Sequence, residues 1–358
     1  MNGNVMVAMS GGVDSSVAAL LLKQSGYDCT GIMMKVLENK EDESSEKSCC
    51  TADAAEDARN VAYSLGMKFY VFNFVDEFRD KVISPFVKSY ERGETPNPCI
   101  ECNRTMKFGA LYQKAKTIGC DYIATGHYAR IEQDKNTGRF LLKKAANTAK
   151  DQSYFLYQLS QDVLAHTLFP LGEYTDKSQI REIAKQHGLP TASKSDSQDI
   201  CFIPKSGYVE FLKEFTGSKY PKGNFVLSDG RIIGNHKGII NYTIGQRKGL
   251  GIAWSEPLYV CAKNVFENTV TLGTEKELYC DSIIAHSFNW IAYENPPETP
   301  INVLARTRCH GKEAAAEVTA NSDGTVTIRF EEPQKATSKG QSVVLYNGDT
   351  VVGGGIIC

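Results

Sequence analysis

The run SGGVDSS, residues 10–16, lies between a short apolar segment and an apolar pattern with helical spacing. Val5 to Met9 before it predicts a strand, and Val17, Leu20 and Leu21 after it predict a helix. A glycine turn between a strand and a helix N-terminus suits a phosphate, because the backbone can approach the anion and the N–H groups and helix dipole stabilise its charge. The sequence therefore predicts an α/β domain with a phosphate site at its first strand–helix junction.

The polar side chains of this run extend that prediction. Ser10, Ser15 and Ser16 supply hydroxyl donors, and Asp14 can hold a magnesium ion beside the phosphates. The run is not a Walker loop, because no Gly-Lys-Ser/Thr ends it. It resembles the pyrophosphate loop of the ATP pyrophosphatases, which cleave ATP to AMP and pyrophosphate while activating a carbonyl oxygen. A glycine turn with a serine cap is the simpler alternative.

The composition is typical of a soluble protein, with 358 residues, 42% of them apolar and 23% charged. This length suits two or three domains. No apolar segment approaches the ~20 residues that span a bilayer, and the N-terminal segment MNGNVMVAMS lacks the basic region of a signal peptide. We therefore expect a cytoplasmic protein that has no membrane partner.

Charge and cysteine content bear on the function. The net charge of −2 counts against a broadly basic nucleic-acid surface, so any RNA contact must use local patches. A reducing cytosol does not favour a disulfide framework, so some of the 11 cysteines should be chemically active.

Alternating strands and helices over residues 1–130 predict a doubly wound parallel sheet. Strands are predicted at 28–36, 69–74 and 122–125, and helices at 55–65 and 107–118. Ligands of such sheets bind beyond the carboxyl ends of the strands, so the Ser10 loop, Met34 and the Gly126-His127 turn should lie together.

The pattern changes near residue 205. Phe225 to Leu227 and Ile232-Ile233 flank Asp229-Gly230, which is a hairpin signature, and the chain after 270 shows the alternation of an all-β domain. We expect three domains: a catalytic domain over 1–204, a small mixed domain over 205–270 and a C-terminal β-barrel over 271–358.

Three cysteines accompany the phosphate loop. TPNPCIECNRTMKFG (95–109) contains Cys99 and Cys102, and SQDICFIP (197–204) contains Cys201. A CxxC pair alone is a weak signal. Together with SGGVDSS, ATGHYAR (124–130), KDQSYFL (150–156), FPLGEY (169–174) and YTIGQRKGLGI (242–252), these segments resemble the bacterial tRNA-specific 2-thiouridylases, in family order. That family replaces the 2-oxygen of the wobble uridine in tRNA with sulfur and has an adenine nucleotide alpha hydrolase-like sheet.

The resemblance implies an ATP-dependent sulfur transfer to tRNA. ATP at the Ser10 loop adenylates the uridine 2-oxygen, and a sulfur nucleophile then displaces AMP from carbon 2. The cysteine matching Cys201 accepts sulfur as a persulfide from a sulfur carrier or cysteine desulfurase. The cysteine matching Cys102 is catalytic and releases that sulfur by forming a disulfide. A persulfide is more acidic than a thiol, so it stays ionised at neutral pH.

Cys99 departs from the family, because many members have aspartate at that position. Cys99, Cys102 and Cys201 could ligate three irons of a [4Fe–4S] cluster and leave the fourth iron open for an extra sulfide, as in other tRNA thiolases. An open-site cluster and a persulfide relay are both compatible with the sequence, and Cys99 as a spectator is a third alternative. Cys49 and Cys50 have no assigned role.

The resemblance also assigns the binding residues. For the residues outside the phosphate loop, a purely structural role or a plain surface position is the alternative. The nucleotide should contact Ala8, Met9, Ser10, Gly11, Gly12, Val13, Asp14, Ser15, Met34 and Gly126. The target base should contact Asn97, Pro98 and Cys99. The tRNA should contact His127, Lys150, Asp151, Gln152, Arg247, Lys248, Arg306, Thr307, Arg308 and Gln341. The basic members of this set could offset the acidic bulk charge locally.

Two rival functions fit part of the pattern. Another ATP pyrophosphatase, such as an amidotransferase, argininosuccinate synthase or tRNA lysidine synthetase, would lack the set of Cys99, Cys102 and Cys201. A nucleotide-binding redox sensor would not need the basic segment IGQRKGLG (244–251) or the added β domain.

Overall fold

The computed structural model describes residues 2–38, 52–194 and 200–358. The strands are β1 Asn4–Ala8, β2 Asp28–Lys35, β3 Lys68–Asn73, β4 Tyr122–Ala124, β5 Ala129–Gln133, β6 Phe140–Lys144, β7 Thr167–Leu168, β8 Gly223–Leu227, β9 Ile232–His236, β10 Tyr259–Asn264, β11 Thr269–Gly273, β12 Tyr279–Trp290, β13 Ile301–Arg306, β14 Ala314–Ala320, β15 Val326–Lys335, β16 Ser342–Asn347 and β17 Thr350–Ile357.

The α-helices are α1 Val13–Gln24, α2 Ala52–Ser64, α3 Val75–Phe78, α4 Ser84–Glu91, α5 Pro98–Cys102, α6 Leu111–Thr117, α7 Gln161–Ala165, α8 Lys177–Gln186 and α9 Tyr208–Thr216. Arg79–Ile83 and Asn103–Ala110 are π-helical, and Ser153–Phe155, Ile239–Asn241 and Glu275–Leu278 form 3₁₀ turns. Within the described residues, every helix is too short or too polar to traverse a bilayer.

The described chain divides into two compact units. Unit 1 consists of Met1–Ile83, Pro98–Phe202 and Gly348–Gly353. Unit 2 consists of Ser84–Asn97, Ile203–Asn347 and Gly354–Cys358.

Unit 1 is built on a parallel sheet of order β3-β2-β1-β4-β7, which confirms the predicted α/β fold. Val5 of the central strand β1 pairs with Cys29 of β2 on one side and with Tyr122 of β4 on the other. Chain order reverses between β1 and β4, and the crevice beyond such a switch point is where parallel sheets bind ligands.

The core of unit 1 joins the sheet to its helices. Buried residues of β1, α1, α2 and α8 form one apolar cluster, which includes Val7, Val17, Val61 and Ile180. The helix predicted over 107–118 begins earlier than expected, as the π-helix Asn103–Ala110, and then continues as α6.

Unit 2 contains the β-rich part of the chain. The predicted hairpin is present as β8 and β9, inside a sheet of order β10-β11-β8-β9. The six strands β12 to β17 form the C-terminal barrel in the order β12-β15-β14-β13-β16-β17, and pairing of β12 with β17 closes it, as predicted. Val326, Ile328 and Phe330 of β15 are buried, as their alternation indicated.

Candidate functional site

The SGGVDSS run lies at the carboxyl end of β1, the central strand of the unit 1 sheet. Met9 N donates to Ile32 O at 2.7 Å, so the backbone stays extended to Met9 and turns only at Ser10. Gly12 precedes α1 with φ −99° and ψ 165°, and no side chain caps the helix at this residue. A helix N-terminus without a side-chain cap presents N–H donors and a positive dipole end, which is what an anion requires.

The serine hydroxyls differ in their partners. Ser10 N donates to Ser15 Oγ at 3.1 Å, while Ser15 Oγ and Ser16 Oγ donate to Gly12 O at 3.1 Å and 2.9 Å. Ser15 and Ser16 are buried, whereas Ser10 is exposed. Two of the three predicted hydroxyl donors are therefore bonded to the loop backbone, and the third, on the exposed Ser10, lies 3.3 Å from Ser15 Oγ.

Two glycines are required by close backbone contacts. Gly11 has φ +72°, and a Cβ there would lie 2.3 Å from Ala54 O in α2. A Cβ on Gly126, in the turn after β4, would lie 2.8 Å from the carbonyl carbon of Asp14 and from Ser15 N. These glycines let α2 and the end of β4 pack directly against the loop and the first turn of α1, so substitution at either would displace the site.

Asp14, in the first turn of α1, is bonded to two side chains that the sequence did not indicate. Lys177 Nζ lies 2.5 Å and 2.6 Å from the two carboxylate oxygens, and Tyr128 Oη donates to Oδ1 at 2.7 Å. The Lys177 ammonium also lies 5.6 Å from the centre of the Tyr128 ring. Both Asp14 and Lys177 are largely buried, with side chains 31% and 14% exposed. A largely desolvated ion pair beside the uncapped N-terminus of a helix marks a candidate site for charged ligands.

The start of α8 positions Lys177. Asp176 caps this helix, because its carboxylate accepts from Ser178 N at 2.6 Å and Gln179 Oε1 accepts from Asp176 N. The cap makes Lys177 the first helical residue. The sequence carried one signal that could have indicated Lys177: a lysine directly after a helix-capping aspartate, shortly after the FPLGEY segment (169–174).

His127 follows Gly126 and is half-buried among aromatic rings. Its ring lies 5.9 Å from the rings of Phe108 and Phe169, and Nδ1 is 2.7 Å from Thr125 Oγ1. Burial, assisted by the charge of Lys107, lowers the pKa of His127 well below its ordinary value. The imidazole is therefore neutral at neutral pH and acts as a hydrogen-bonding group, not as a phosphate counter-ion.

The segment 150–152, assigned to tRNA, is bonded to the backbone of unit 1. Asp151 accepts from Ala145 N at 3.1 Å and from Ser153 N and Oγ at 3.2 Å and 2.9 Å. Gln152 Oε1 accepts from Tyr128 N at 2.9 Å, and Gln152 N donates to Tyr128 O at the same distance. These bonds hold the segment against the Tyr128 backbone, next to His127.

Cys102 ends helix α5, and Cys99 lies one turn earlier. Cys99 is exposed and Cys102 is half-buried. Asn103, which follows Cys102, is buried and donates to Phe155 O at 3.0 Å, so the backbone at Cys102 is anchored while the thiol stays near the surface. Pro98, assigned to the target base, is buried, and Asn97 is half-buried.

Cys201, in unit 1, is followed directly by a buried aromatic residue, Phe202. Phe202 is buried and packs edge-on against Phe78, with ring centroids 5.7 Å apart, while Cys201 itself is half-buried. Residues 197–199 of the SQDIC segment lie outside the described residues, as do Cys49 and Cys50.

Residues 2–38, 52–194 and 200–358, the described part of the chain, include the three cysteines of the predicted cluster. No three His, Cys, Asp or Glu side chains in these ranges are arranged to hold a metal ion. Cys99, Cys102 and Cys201 all belong to these ranges, so they do not form a group that holds a single metal ion.

The assigned tRNA contacts of unit 2 fall into two groups. Arg247 and Lys248 are exposed, on the loop before β10. Arg306, in contrast, is 16% exposed, pairs with Glu313 at 2.6 Å and lies 4.9 Å above the Tyr346 ring. A guanidinium with these partners has less freedom to meet a phosphate.

Three further assigned residues lie in the same unit. Arg308 donates to Ala336 O, and Thr307 beside it is half-buried. Gln341 Nε2 donates to Thr95 O at 2.6 Å, which ties it to the TPNP segment.

Comparisons with known proteins identify the domains and the family of the chain. Family models match three parts of the chain: a tRNA methyl transferase HUP domain over 3–205, a tRNA methyl transferase PRC-barrel domain over 209–274 and an aminomethyltransferase beta-barrel domain over 280–357. These matches define a HUP-type α/β protein with two added β domains.

Curated relatives match over the full length. The tRNA-specific 2-thiouridylase MnmA of Clostridioides difficile (strain 630) is 49% identical and covers 100% of this chain and 98% of its own. The one from Clostridium acetobutylicum is 47% identical and covers 100% of both chains. The chain belongs to the family of tRNA-specific 2-thiouridylases, which confirms the resemblance. A solved 4-thiouridine synthetase–RNA complex with bound ATP is 19% identical, covers 59% of this chain and 50% of its own, and has a TM-score of 0.37.

Proposed function

We propose that this chain is a tRNA 2-thiouridylase that uses ATP to activate the 2-oxygen of the wobble uridine and replaces it with sulfur, releasing AMP and pyrophosphate. The observation that carries the proposal is the Asp14 site at the uncapped N-terminus of α1, at the switch point of the sheet. The full-length relatives carry the name tRNA-specific 2-thiouridylase.

ATP phosphates would bind at the N-terminus of α1. Residues 8–15 connect the end of β1 to the first turn of α1 and are proposed to contact the phosphates, and Lys177 adds a cation beside Asp14. Met34, half-buried at the end of β2, and Gly126 are proposed to line the adenosine side. Fixed N–H donors and a lysine stabilise the charge that develops when the bond to pyrophosphate breaks.

Magnesium fits the donor set at this site. The ion is held in nucleotide sites by one or two carboxylates together with substrate phosphates, and Asp14 is the carboxylate of the loop. Lys177 Nζ contacts both of its oxygens, so Mg²⁺ would bind Asp14 as the lysine moved to the phosphates. When bound, Mg²⁺ would neutralise phosphate charge.

A persulfide relay supplies the sulfur in this proposal. A sulfur carrier or cysteine desulfurase transfers a sulfur atom to Cys201, which becomes a persulfide. Its terminal sulfur attacks carbon 2 of the adenylated uridine and AMP leaves. The Cys102 thiolate then attacks the Cys201 sulfur, the S–S bond breaks with its electrons on the base sulfur, and a Cys102–Cys201 disulfide forms. A thiol reductant restores both cysteines.

The relay is preferred to the iron–sulfur cluster because it needs only Cys102 and Cys201, whereas the cluster also needs Cys99, where many family members have aspartate. No step is therefore assigned to a cluster. Cys99 is exposed in α5 and is proposed to position the target base together with Asn97 and Pro98.

The tRNA contacts are proposed to differ in kind. Arg247 and Lys248 are exposed and would meet phosphates, whereas His127 is neutral and would form a hydrogen bond. Lys150 and the bonded pair Asp151 and Gln152 would present their segment to the tRNA.

The remaining assigned residues of unit 2 have partners that suit positioning roles. Gln341 would hold the TPNP segment through Thr95. The segment from Arg306 to Arg308, at the end of β13, would be held in its conformation by the bonds from Arg306 to Glu313 and from Arg308 to Ala336 O. We also retain the division into domains at 1–204, 205–270 and 271–358, and a cytoplasmic location, as proposals.

The test is a reconstituted reaction of protein, ATP, tRNA and a persulfide donor. Mass spectrometry of tRNA nucleosides should show 2-thiouridine, with AMP formed in step. Asp14→Ala should abolish both, while Asp28→Ala, an exposed aspartate of β2, should not. AMP formation without tRNA would favour a redox sensor, and a modified uridine or cytidine lacking sulfur would favour another ATP pyrophosphatase.

A further inference from the structure

Unit 2 has a surface cavity of about 380 Å³ formed almost wholly by one loop. The loop runs from Thr243 to Leu258, between the 3₁₀ turn Ile239–Asn241 and β10. Its cavity-lining side chains include Arg247, Leu250, Ile252, Trp254, Glu256 and Pro257.

The fold holds this loop in place. Gly245 N donates to Val260 O at 2.8 Å, and Val260 N donates to Gln246 O at 3.0 Å, so the loop is tied to β10. Gly249 and Gly251 have φ of +79° and +70°, a left-handed conformation that glycine adopts without strain. Leu250 is buried beneath the loop. The cavity is therefore a preformed feature of unit 2.

The side chains around the cavity combine an aromatic surface with positive charge. Trp254 is 42% exposed, although burying an indole in the core would be favourable. Arg247 and Lys248 are exposed and make no ion pair with the described residues. Glu256, on the same cavity, accepts hydrogen bonds but repels phosphate, so the cavity suits an uncharged ring and leaves phosphates to the rim.

An aromatic platform with adjacent cations recognises an unpaired nucleobase. Bases released from a helix stack on tryptophan, while arginine and lysine contact the flanking phosphates. A protein partner would bury the tryptophan with equal benefit, but it would gain nothing from two unpaired cations unless it were acidic. The charge therefore favours RNA.

We propose that this cavity binds one unpaired base of the tRNA, stacked on Trp254, with Arg247 and Lys248 on the flanking phosphates. The inference rests on the proposed function, because it takes the tRNA as substrate. The proposed function gives this loop only phosphate contacts. The inference adds a subsite for a base, and it therefore requires the bound tRNA to offer an unpaired nucleotide.

The first experiment compares tRNA binding by two aromatic deletions of unit 2. Trp254→Ala should weaken tRNA binding roughly 10-fold or more, since loss of one stacked base contributes on that scale, and Trp254→Phe should restore most of it. Phe266→Ala removes a fully exposed aromatic of the β10–β11 turn and is the matched control, expected to bind as the parent does. Both alanine variants should keep the parent's salt dependence and ATP affinity. Parent-like binding by Trp254→Ala, or an equal loss in Phe266→Ala, would overturn the subsite.

The second experiment uses fluorescence, because the chain has only two tryptophans, Trp254 and Trp290. In Trp290→Phe, emission comes from Trp254 alone, and tRNA should quench it while a double-stranded RNA without unpaired bases should not. Normal thiolation with unchanged emission would overturn the subsite and leave the proposed function standing. Absence of tRNA binding and thiolation in the parent chain would overturn both. Equal quenching by an acidic polypeptide would assign the surface to a protein instead.

Discussion

Lys177 Nζ lies 2.5 Å and 2.6 Å from the two carboxylate oxygens of Asp14, although the residues are 163 positions apart in the sequence. The pair joins the start of α8 to the first turn of α1 and lies where the loop would receive phosphates. Tyr128 fixes the carboxylate from a third direction through its hydroxyl. The arrangement places one cation and one anion at the proposed reaction centre.

Removing the lysine should therefore reduce ATP use. Lys177→Met is expected to lower AMP formation about 10²- to 10³-fold, the usual effect of deleting one fixed group that stabilises transition-state charge. Lys185→Met, an exposed lysine in the last turn of the same helix, is the control. AMP release in single-turnover mixtures measures the effect, and a parent-like rate in Lys177→Met would exclude a role at the phosphates.

The relay requires sulfur at two positions. Cys102→Ser and Cys201→Ser should each eliminate 2-thiouridine, because an alcohol cannot carry a persulfide or close a disulfide. Cys358→Ser, at an exposed cysteine, should retain full product and controls for general loss of thiols. Nucleoside mass spectrometry after treatment of tRNA reports the outcome. Substantial product from either of the first two variants would assign the relay to a different pair.

Iron content separates the relay from the cluster. Since the proposed relay uses only Cys102 and Cys201, thiolation should proceed in protein that contains no detectable iron, and Cys99→Asp should keep much of its activity. The measurement is iron and sulfide content against turnover in the same anaerobic samples. Activity that rises in proportion to about four irons per chain, and that is lost with iron in Cys99→Ser, would favour the cluster.

Charge reversal tests the phosphate contacts of unit 2. Arg247→Glu with Lys248→Glu should weaken tRNA binding and reduce the log–log salt slope by roughly two units, because two phosphate contacts release their counterions. Lys219→Glu with Lys276→Glu makes the same change of charge at exposed lysines of unit 2 and is the control. Electrophoretic shifts at several salt concentrations give both slopes. Equal slopes would place Arg247 and Lys248 outside the interface.

Lys263 of β10 should make the free energy of unfolding of this protein depend on pH. Burial lowers the pKa of its ammonium to about 8, although Glu94 opposes the change. In the unfolded chain the lysine keeps its proton to about pH 10.4, so the unfolded state binds more protons between the two values and stability rises with pH there. Relative to Lys263→Met, the parent should gain about 2 kcal/mol between pH 7 and pH 9.5.

Urea unfolding of the two proteins at several pH values measures this difference. Lys276→Met, at an exposed lysine, should show no such trend relative to the parent. A difference between parent and Lys263→Met that does not change with pH would mean that Lys263 is solvated.

The strand, turn and helix around SGGVDSS were predictable because their signals are local. Apolar spacing defined β1 and α1, and glycines marked the turn between them. The alternation of Val326, Ile328 and Phe330 likewise predicted a strand with one buried face, which β15 has. Such patterns depend on neighbours within a few residues, so a single sequence carries them.

The partners of the site residues depended on packing between distant segments. No local pattern pairs Asp14 with Lys177, stacks Arg306 on Tyr346 or surrounds His127 with Phe108 and Phe169. From sequence, Arg306 suited a phosphate contact, and only the fold showed that Glu313, just before β14, supplies a carboxylate and Tyr346 of β16 supplies a ring. Residue types and spacing thus determined the elements and the family. The tertiary structure decided which charges are already paired, because pairing depends on which segments the fold brings within hydrogen-bond distance.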